Sequence, residues 1–179
     1  DDDICLLFGR NPGRMERVTG EMLDSSNATP ARLAVYDARL DPESITPQMR
    51  ENLDDELTEV KSENAIDRIT SQANPRTLER VPAGARFHIR MVMDVLCEED
   101  APLFQRVIEA LRLLEDDSLG GGGSRGSGQV AFANLSLVWR GRDYYSAGAP
   151  QREIATAADT AALLAAYNEA GTAFLSEAS

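Results

Sequence analysis

The stretch 85–139 constrains this chain more than any other part of it. Phe87, Ile89, Met91, Met93 and Val95 take every second position, with His88, Arg90 and Asp94 between them. That period of two predicts a half-buried strand over 85–96. Ala101-Pro102 then opens a helix, since proline is tolerated in a first turn. Phe104, Val107, Ile108, Leu111 and Leu114 give that helix, over 101–116, one apolar face. Next comes Leu119-GGGGSRGSG-Gln129, which holds six of the thirteen glycines. A strand is predicted over 129–139. Its apolar parity changes from Val130 and Phe132 to Leu135, Leu137 and Trp139, so a bulge is expected near Ala133-Asn134. Strand, helix, glycine-rich loop and strand make the second half of a split β-α-β unit, which predicts an α+β, ferredoxin-like (RRM-like) fold. A strand over 31–40 supplies part of the first half. The remaining strand and helix are expected before Asp1.

The glycine run admits three readings: an engineered flexible linker, an ordinary mobile loop, or a backbone built for close approach. A linker would join complete domains, whereas this run separates a helix from the strand expected to follow it. Tandem glycines can bring N–H groups near a phosphate chain, with a cation as anchor. Gly121, Gly122, Gly123, Ser124, Arg125 and Gly126 are the candidates for that role. No lysine follows the glycines as a P-loop requires. The order helix-then-strand is also the reverse of a dinucleotide-binding turn. Both nucleotide-enzyme patterns are therefore disfavoured.

Elsewhere, CLLFG at 5–9 is a short apolar run and 10–30 has loop chemistry. Residues 41–58 read as irregular or weakly helical. Residues 59–84 show no amphipathic period and end in the turn Val81-Pro82-Ala83-Gly84. Residues 140–152 read as loop, and 153–176 as an alanine-rich, peripheral helix. The expected organisation is one domain over 1–149, with insertions at roughly 10–30 and 41–84, and a C-terminal helix over 150–179.

The chain has 179 residues, 42% hydrophobic and 27% charged, with net charge −12. Such a composition excludes collagen-like and wholly disordered chains. The total charge argues against nucleic acid, but its distribution does not. Residues 58–90 carry net +2, while 1–57, 91–128 and 129–179 carry −7, −5 and −2. Seventeen of the eighteen basic residues are Arg, the side chain suited to phosphate and stacking. In the basic window Lys61, Asn64, Arg68, Arg76 and Arg80 are candidate contacts for an anionic backbone; a solvated loop with internal ion pairs is the bland alternative. Two cysteines make no disulfide framework and suit a reducing, cytoplasmic setting, each as a small buried apolar group. No run of about 18 apolar residues would span a membrane. His88 reads as a satisfied or exposed strand histidine. Asp116-Asp117 and Asp54-Asp55-Glu56 read as solvated charge, and no metal site is visible.

The run TEVKSENAIDRITSQANPRTLERVPAG at 58–84 resembles the RAMP subunits that form the backbone of type III CRISPR interference complexes, in the Csm-type branch. EDDSLGGGGSRGSGQVAF is similar to their glycine-rich loop and following strand, and CLLFG and RLAVYDARL to their middle section. The likeness covers roughly 4–139; Ser127 departs from it, standing where an aromatic residue is commoner. It implies a RAMP domain with a β-hairpin thumb inserted, built from or beside 58–84. It also implies copies stacked head to tail along a guide RNA, other complex subunits as partners, and a target RNA cut at regular intervals with a divalent metal such as magnesium. The aspartate implied for cleavage would lie before Asp1, so no catalytic residue is nominated. Zinc held by His and Cys in some members has only Cys5 as a counterpart, which cannot make a tetrahedral site. A non-cleaving RNA-binding scaffold and a generic ferredoxin-like interaction domain remain as alternatives.

Overall fold

The computed structural model describes residues 2–9, 29–53 and 57–170. The expected loop at 10–28, the acidic group Asp54-Asp55-Glu56 and the end of the chain from 171 lie outside them. In chain order the elements are α1 Asp2–Phe8, β1 Leu33–Val35, β2 Arg39–Leu40, α2 Pro47–Arg50, β3 Glu59–Ile66, β4 Ala73–Arg80, β5 Phe87–His88, β6 Met91–Met93, α3 Leu103–Asp116, β7 Leu135–Trp139, α4 Arg142–Ala147, β8 Arg152–Ala157 and α5 Thr160–Ala170. The fold is α+β. Its strands pair as β1 with β6, β2 with β5, β3 with β4, and β7 with β8. The chain divides into two compact units, 1–34 with 93–179, and 35–92.

In the first unit, α3 takes the place the apolar period predicts. It buries Leu103, Val107 and Ile108, and Ile108 is fully enclosed. Ile108 packs with Ala155, Ala157, Leu163 and Tyr167, flanked by Phe104, Leu137 and Trp139. The Tyr167 hydroxyl donates to the Ala101 carbonyl at 2.7 Å, inside the core. Burial raises that phenol's pKa. Glu115 fastens two neighbours to α3: its carboxylate accepts from the Phe132 N–H at 2.8 Å and from the Thr160 hydroxyl at 2.7 Å. Asp159 caps α5, accepting from the Ala162 N–H at 2.8 Å.

Several sequence expectations change here. Residues 152–157 are strand, not helix. Ala155 and Ala157 are buried and Thr156 is exposed, an alternation that the sum of alanine helix propensities hides. The helix α5 is part of the core rather than peripheral, because Leu163 and Tyr167 close over Ile108. The strand expected over 129–139 is regular only from Leu135 and pairs with β8. Asn134 takes φ +55, where the parity change was expected, while the register shift itself falls between Leu137 and Val138. The stretch 140–152 contains the short helix α4 rather than loop alone. Cys97 is exposed and Cys5 half-buried, so neither is a buried apolar group.

A clamp also lies in this unit. The Arg32 side chain donates from Nε to Asp100 Oδ2 at 2.9 Å, and both side chains are at least nine-tenths buried. The same oxygen accepts from Leu96 N–H at 2.9 Å and Cys97 N–H at 3.2 Å. Burial pushes the Asp100 carboxyl pKa up, but these donors outweigh it and hold it below the usual aspartate range.

The second unit is a nested antiparallel excursion. Tyr36 N–H donates to the Arg90 carbonyl at 3.0 Å and Asp41 N–H to the Arg86 carbonyl at 2.8 Å. Arg39 faces His88, and Leu40 faces Phe87. The strands expected over 31–40 and 85–96 are each broken, at 36–38 and 89–90. At the break the Arg90 guanidinium lies 5.0 Å from the Tyr36 ring centre, a cation–π contact. Ser44 and Ile45 are buried beneath the turn that leaves β2. From here the chain runs out into β3 and β4.

Candidate nucleic-acid interface

The longest ladder is the β3–β4 hairpin, each strand eight residues long. The window 59–80 shows no apolar period because the hairpin has no core side. Every residue of β4 is exposed, as are six of the eight in β3. Its register pairs Glu59 with Arg80, Lys61 with Leu78 and Glu63 with Arg76. Directly opposed residues share a face, so Lys61, Arg76 and Arg80 stand together. Asn64, opposite Pro75, is on the other face. Arg68 lies in the connecting turn.

The two arginines are not bare charges. Arg76 Nη2 donates to Glu63 Oε2 at 3.0 Å, and Arg80 Nε to Glu59 Oε2 at 2.9 Å. The arginine side chains are about half exposed, at 51% and 48%. Exposed pairs of this kind contribute about 0–1 kcal/mol, so a phosphate can compete for the guanidinium. Each guanidinium has five N–H donors.

The hairpin turn is built by Asp67. Its Oδ1 accepts from the N–H groups of Ile69 and Thr70, both at 2.8 Å, and these bonds lower its carboxyl pKa. Its N–H donates to the Gln72 carbonyl at 3.0 Å, and its own carbonyl accepts from Ser71 N–H at 2.9 Å. Ser71 consequently sits at φ +57. The turn presents Ile69, 94% exposed. An aspartate followed by polar residues at the midpoint of an unpatterned basic window was the available signal.

The glycine-rich loop belongs to the first unit. Leu119 N–H donates to the Gly128 carbonyl at 2.8 Å and closes the loop. Inside it Gly122 and Gly126, at φ +80 and +78, bracket a 3-10 turn over Gly123–Arg125. Arg125 N–H donates to the Gly122 carbonyl at 2.9 Å. Two glycines are required by the loop's own packing. A Cβ at Gly123 would run into the Ser118 hydroxyl, and one at Gly128 into the Leu119 carbonyl. Gly121 is different: it avoids the left-handed region, and a Cβ there would meet nothing within 4 Å. Ser124 and Arg125 are exposed, while Asp116 and Asp117 line a hollow beside Gly123 and Ser124. The candidates 121–126 are therefore gathered in one turn, with carboxylates on one flank.

Residues 1–131 match the model of the RAMP superfamily. The chain belongs to the RAMP superfamily. It is 38% identical over 148 residues to a CRISPR system Cms endoribonuclease Csm3 of Methanocaldococcus jannaschii, covering 80% of this chain and 52% of that one. A Csm3 of Methanothermobacter thermautotrophicus is 37% identical over 141 residues, covering 72% of this chain and 57% of that one. This RAMP chain thus spans about half the length of the curated relatives it matches. Among solved structures, a Csm3–Csm4 subcomplex of the type III-A CRISPR-Cas interference complex aligns with TM-score 0.58 at 26% identity. That alignment covers 93% of this chain and 66% of that one.

Among the described residues, no three or more His, Cys, Asp or Glu side chains gather to hold a metal ion. No step of cleavage is assigned to them. His88 lies on β5 and is exposed. No helix among the described residues is long and apolar enough to cross a membrane.

Proposed function

We propose that this RAMP chain is a guide-RNA-binding backbone subunit of a type III CRISPR effector complex, whose relatives cut target RNA. The observation that carries the reading is the exposed β3–β4 hairpin with Lys61, Arg76 and Arg80 on one face of an otherwise acidic chain. A clamp that ignores sequence needs cations placed on phosphates and a rigid shape, not base-edge readout. The hairpin supports that role. Gly121 and Arg125 form a second phosphate contact on the glycine-rich turn, and Asn64 and Arg68 lie on the other face and in the turn of the hairpin. The acidic remainder suits contacts with other subunits and with copies stacked head to tail, since a heterologous assembly joins unlike faces. Magnesium and a cytoplasmic setting belong to the same reading.

The test is binding of a labelled single-stranded RNA at several salt concentrations. Arg76→Ala with Arg80→Ala, and separately Arg125→Ala, weaken binding and lower the salt slope by about one per lost phosphate contact. Unchanged affinity and slope overturn the assignment. Incubation with guide, labelled target RNA and magnesium tests cleavage; with no catalytic residue nominated among them, these 179 residues are expected to bind the target and leave it intact, and products at regular spacing would overturn that.

A further inference from the structure

The three basic residues of 129–179 all fall within 140–152, where Asp143 is the sole acid. This window therefore carries net +2 in a segment of net −2, and it lies beyond the part of the chain that matches the family model. The structure gives it a set geometry. Arg140 donates from Nε and Nη2 to Gln151 Oε1, at 3.1 and 3.0 Å. Its guanidinium lies 5.1 Å from the Tyr144 ring centre. Tyr145 stands edge-on to Tyr144, with centres 5.0 Å apart and planes at 84°. The Tyr145 side chain is 73% exposed, and Arg142 is exposed beside it at the start of α4.

We infer that this cluster is a stacking platform for single-stranded RNA, with Tyr145 taking a base and Arg142 a phosphate. The inference rests on the RNA-binding reading and adds a contact apart from hairpin and glycine-rich turn. Aromatic rings interleaved with cations are how a protein holds an unpaired strand without reading its sequence. Protein interfaces also use Tyr and Arg, and it is the net +2 of this window in an acidic chain that favours a polyanion. Here the exposed Tyr145 ring stands edge-on to Tyr144, and Gln151 and Tyr144 hold Arg140 in place before any ligand arrives.

Trp139, the chain's single tryptophan, precedes Arg140 in the chain and packs against the core of the same unit, so its emission is a probe for binding on that unit. A short labelled oligouridylate is titrated into the full chain, following anisotropy and Trp139 emission together. Emission changes on binding and still does so in the Arg76→Ala, Arg80→Ala variant. Tyr145→Ala weakens binding roughly tenfold or more, Tyr145→Phe stays within about twofold, and Arg142→Ala lowers the salt slope by about one. If the chain binds RNA but Tyr145→Ala binds as tightly and Trp139 stays silent, the platform is refuted and the RNA reading stands. If Tyr145→Ala alters only self-association, the surface belongs to a protein contact and the inference falls. If the chain binds no RNA at all, the proposed function fails first.

Discussion

Two glycine-to-alanine substitutions, seven residues apart, separate what the glycine-rich loop needs for itself from what it offers a ligand. Gly128 has φ +84, and a Cβ there would collide with the Leu119 carbonyl. A left-handed alanine costs about 1–2 kcal/mol. Relieving the collision opens the 2.8 Å Leu119–Gly128 bond that closes the loop, a further cost of about 0.5–1.5 kcal/mol. Gly128→Ala should therefore lower the melting temperature by roughly 5–10 °C for a domain of this size. Gly121→Ala meets nothing within 4 Å and needs no positive φ. It should leave stability unchanged or raise it by about 0.4–1 kcal/mol, through a stiffer unfolded chain. RNA binding should respond in the opposite sense. A methyl group at Gly121 blocks backbone approach, and losing a hydrogen bond to a phosphate costs about 1.5–3 kcal/mol, tenfold or more in affinity. Thermal melts and RNA titrations of both variants check this. A stable Gly121→Ala protein that binds RNA normally would refute phosphate approach at that position. A Gly128→Ala protein as stable as the parent would refute the closure argument.

Asp100→Ala leaves the buried Arg32 guanidinium and two N–H groups without their shared acceptor, and should cost about 3–5 kcal/mol in a urea melt. Because the Asp100 pKa is depressed in the folded state, its stabilisation is complete above the ordinary aspartate range and disappears as pH falls through the lowered value; a gap between parent and Asp100→Asn that ignores acidification contradicts this. Tyr167→Phe keeps the ring against Phe104 and removes one of the two hydrogen bonds that the Ala101 carbonyl accepts, the Phe104 N–H remaining at 3.1 Å, with an expected loss of about 0.5–1.5 kcal/mol by thermal denaturation. Asp67→Ala should speed amide exchange at Ile69 and Thr70 while the register of β3 with β4 persists; unchanged exchange there would show that Asp67 does not hold the turn.

Local signals were legible in the chain. The apolar period of α3 is a property of neighbouring residues, and so is the net +2 of 58–90. The glycine run is equally local, whereas the bulge expected near Ala133-Asn134 falls between Leu137 and Val138. Period-two alternation marked 31–40 and 85–96 but could not show where each strand breaks, because the break depends on Arg90 meeting Tyr36 across the pair. The alanine-rich stretch misled for a related reason. Propensity sums over a window, whereas Ala155 and Ala157 are held in a strand by β7 and covered by α5.

By itself the sequence determined an α+β chain with a basic window over 58–90 and a glycine-rich turn between helix and strand. It also carried the motifs that place the chain among RAMP proteins. Only the tertiary structure decided that Lys61, Arg76 and Arg80 share a face while Asn64 does not. Only it distinguished the glycines filled by Ser118 and Leu119 from the open one at Gly121. Only it set Arg140 over Tyr144 in a stretch that reads as plain loop. The physical reason is common to all three. Periodicity and composition fix what each residue prefers, but register and long-range contact fix which residues meet.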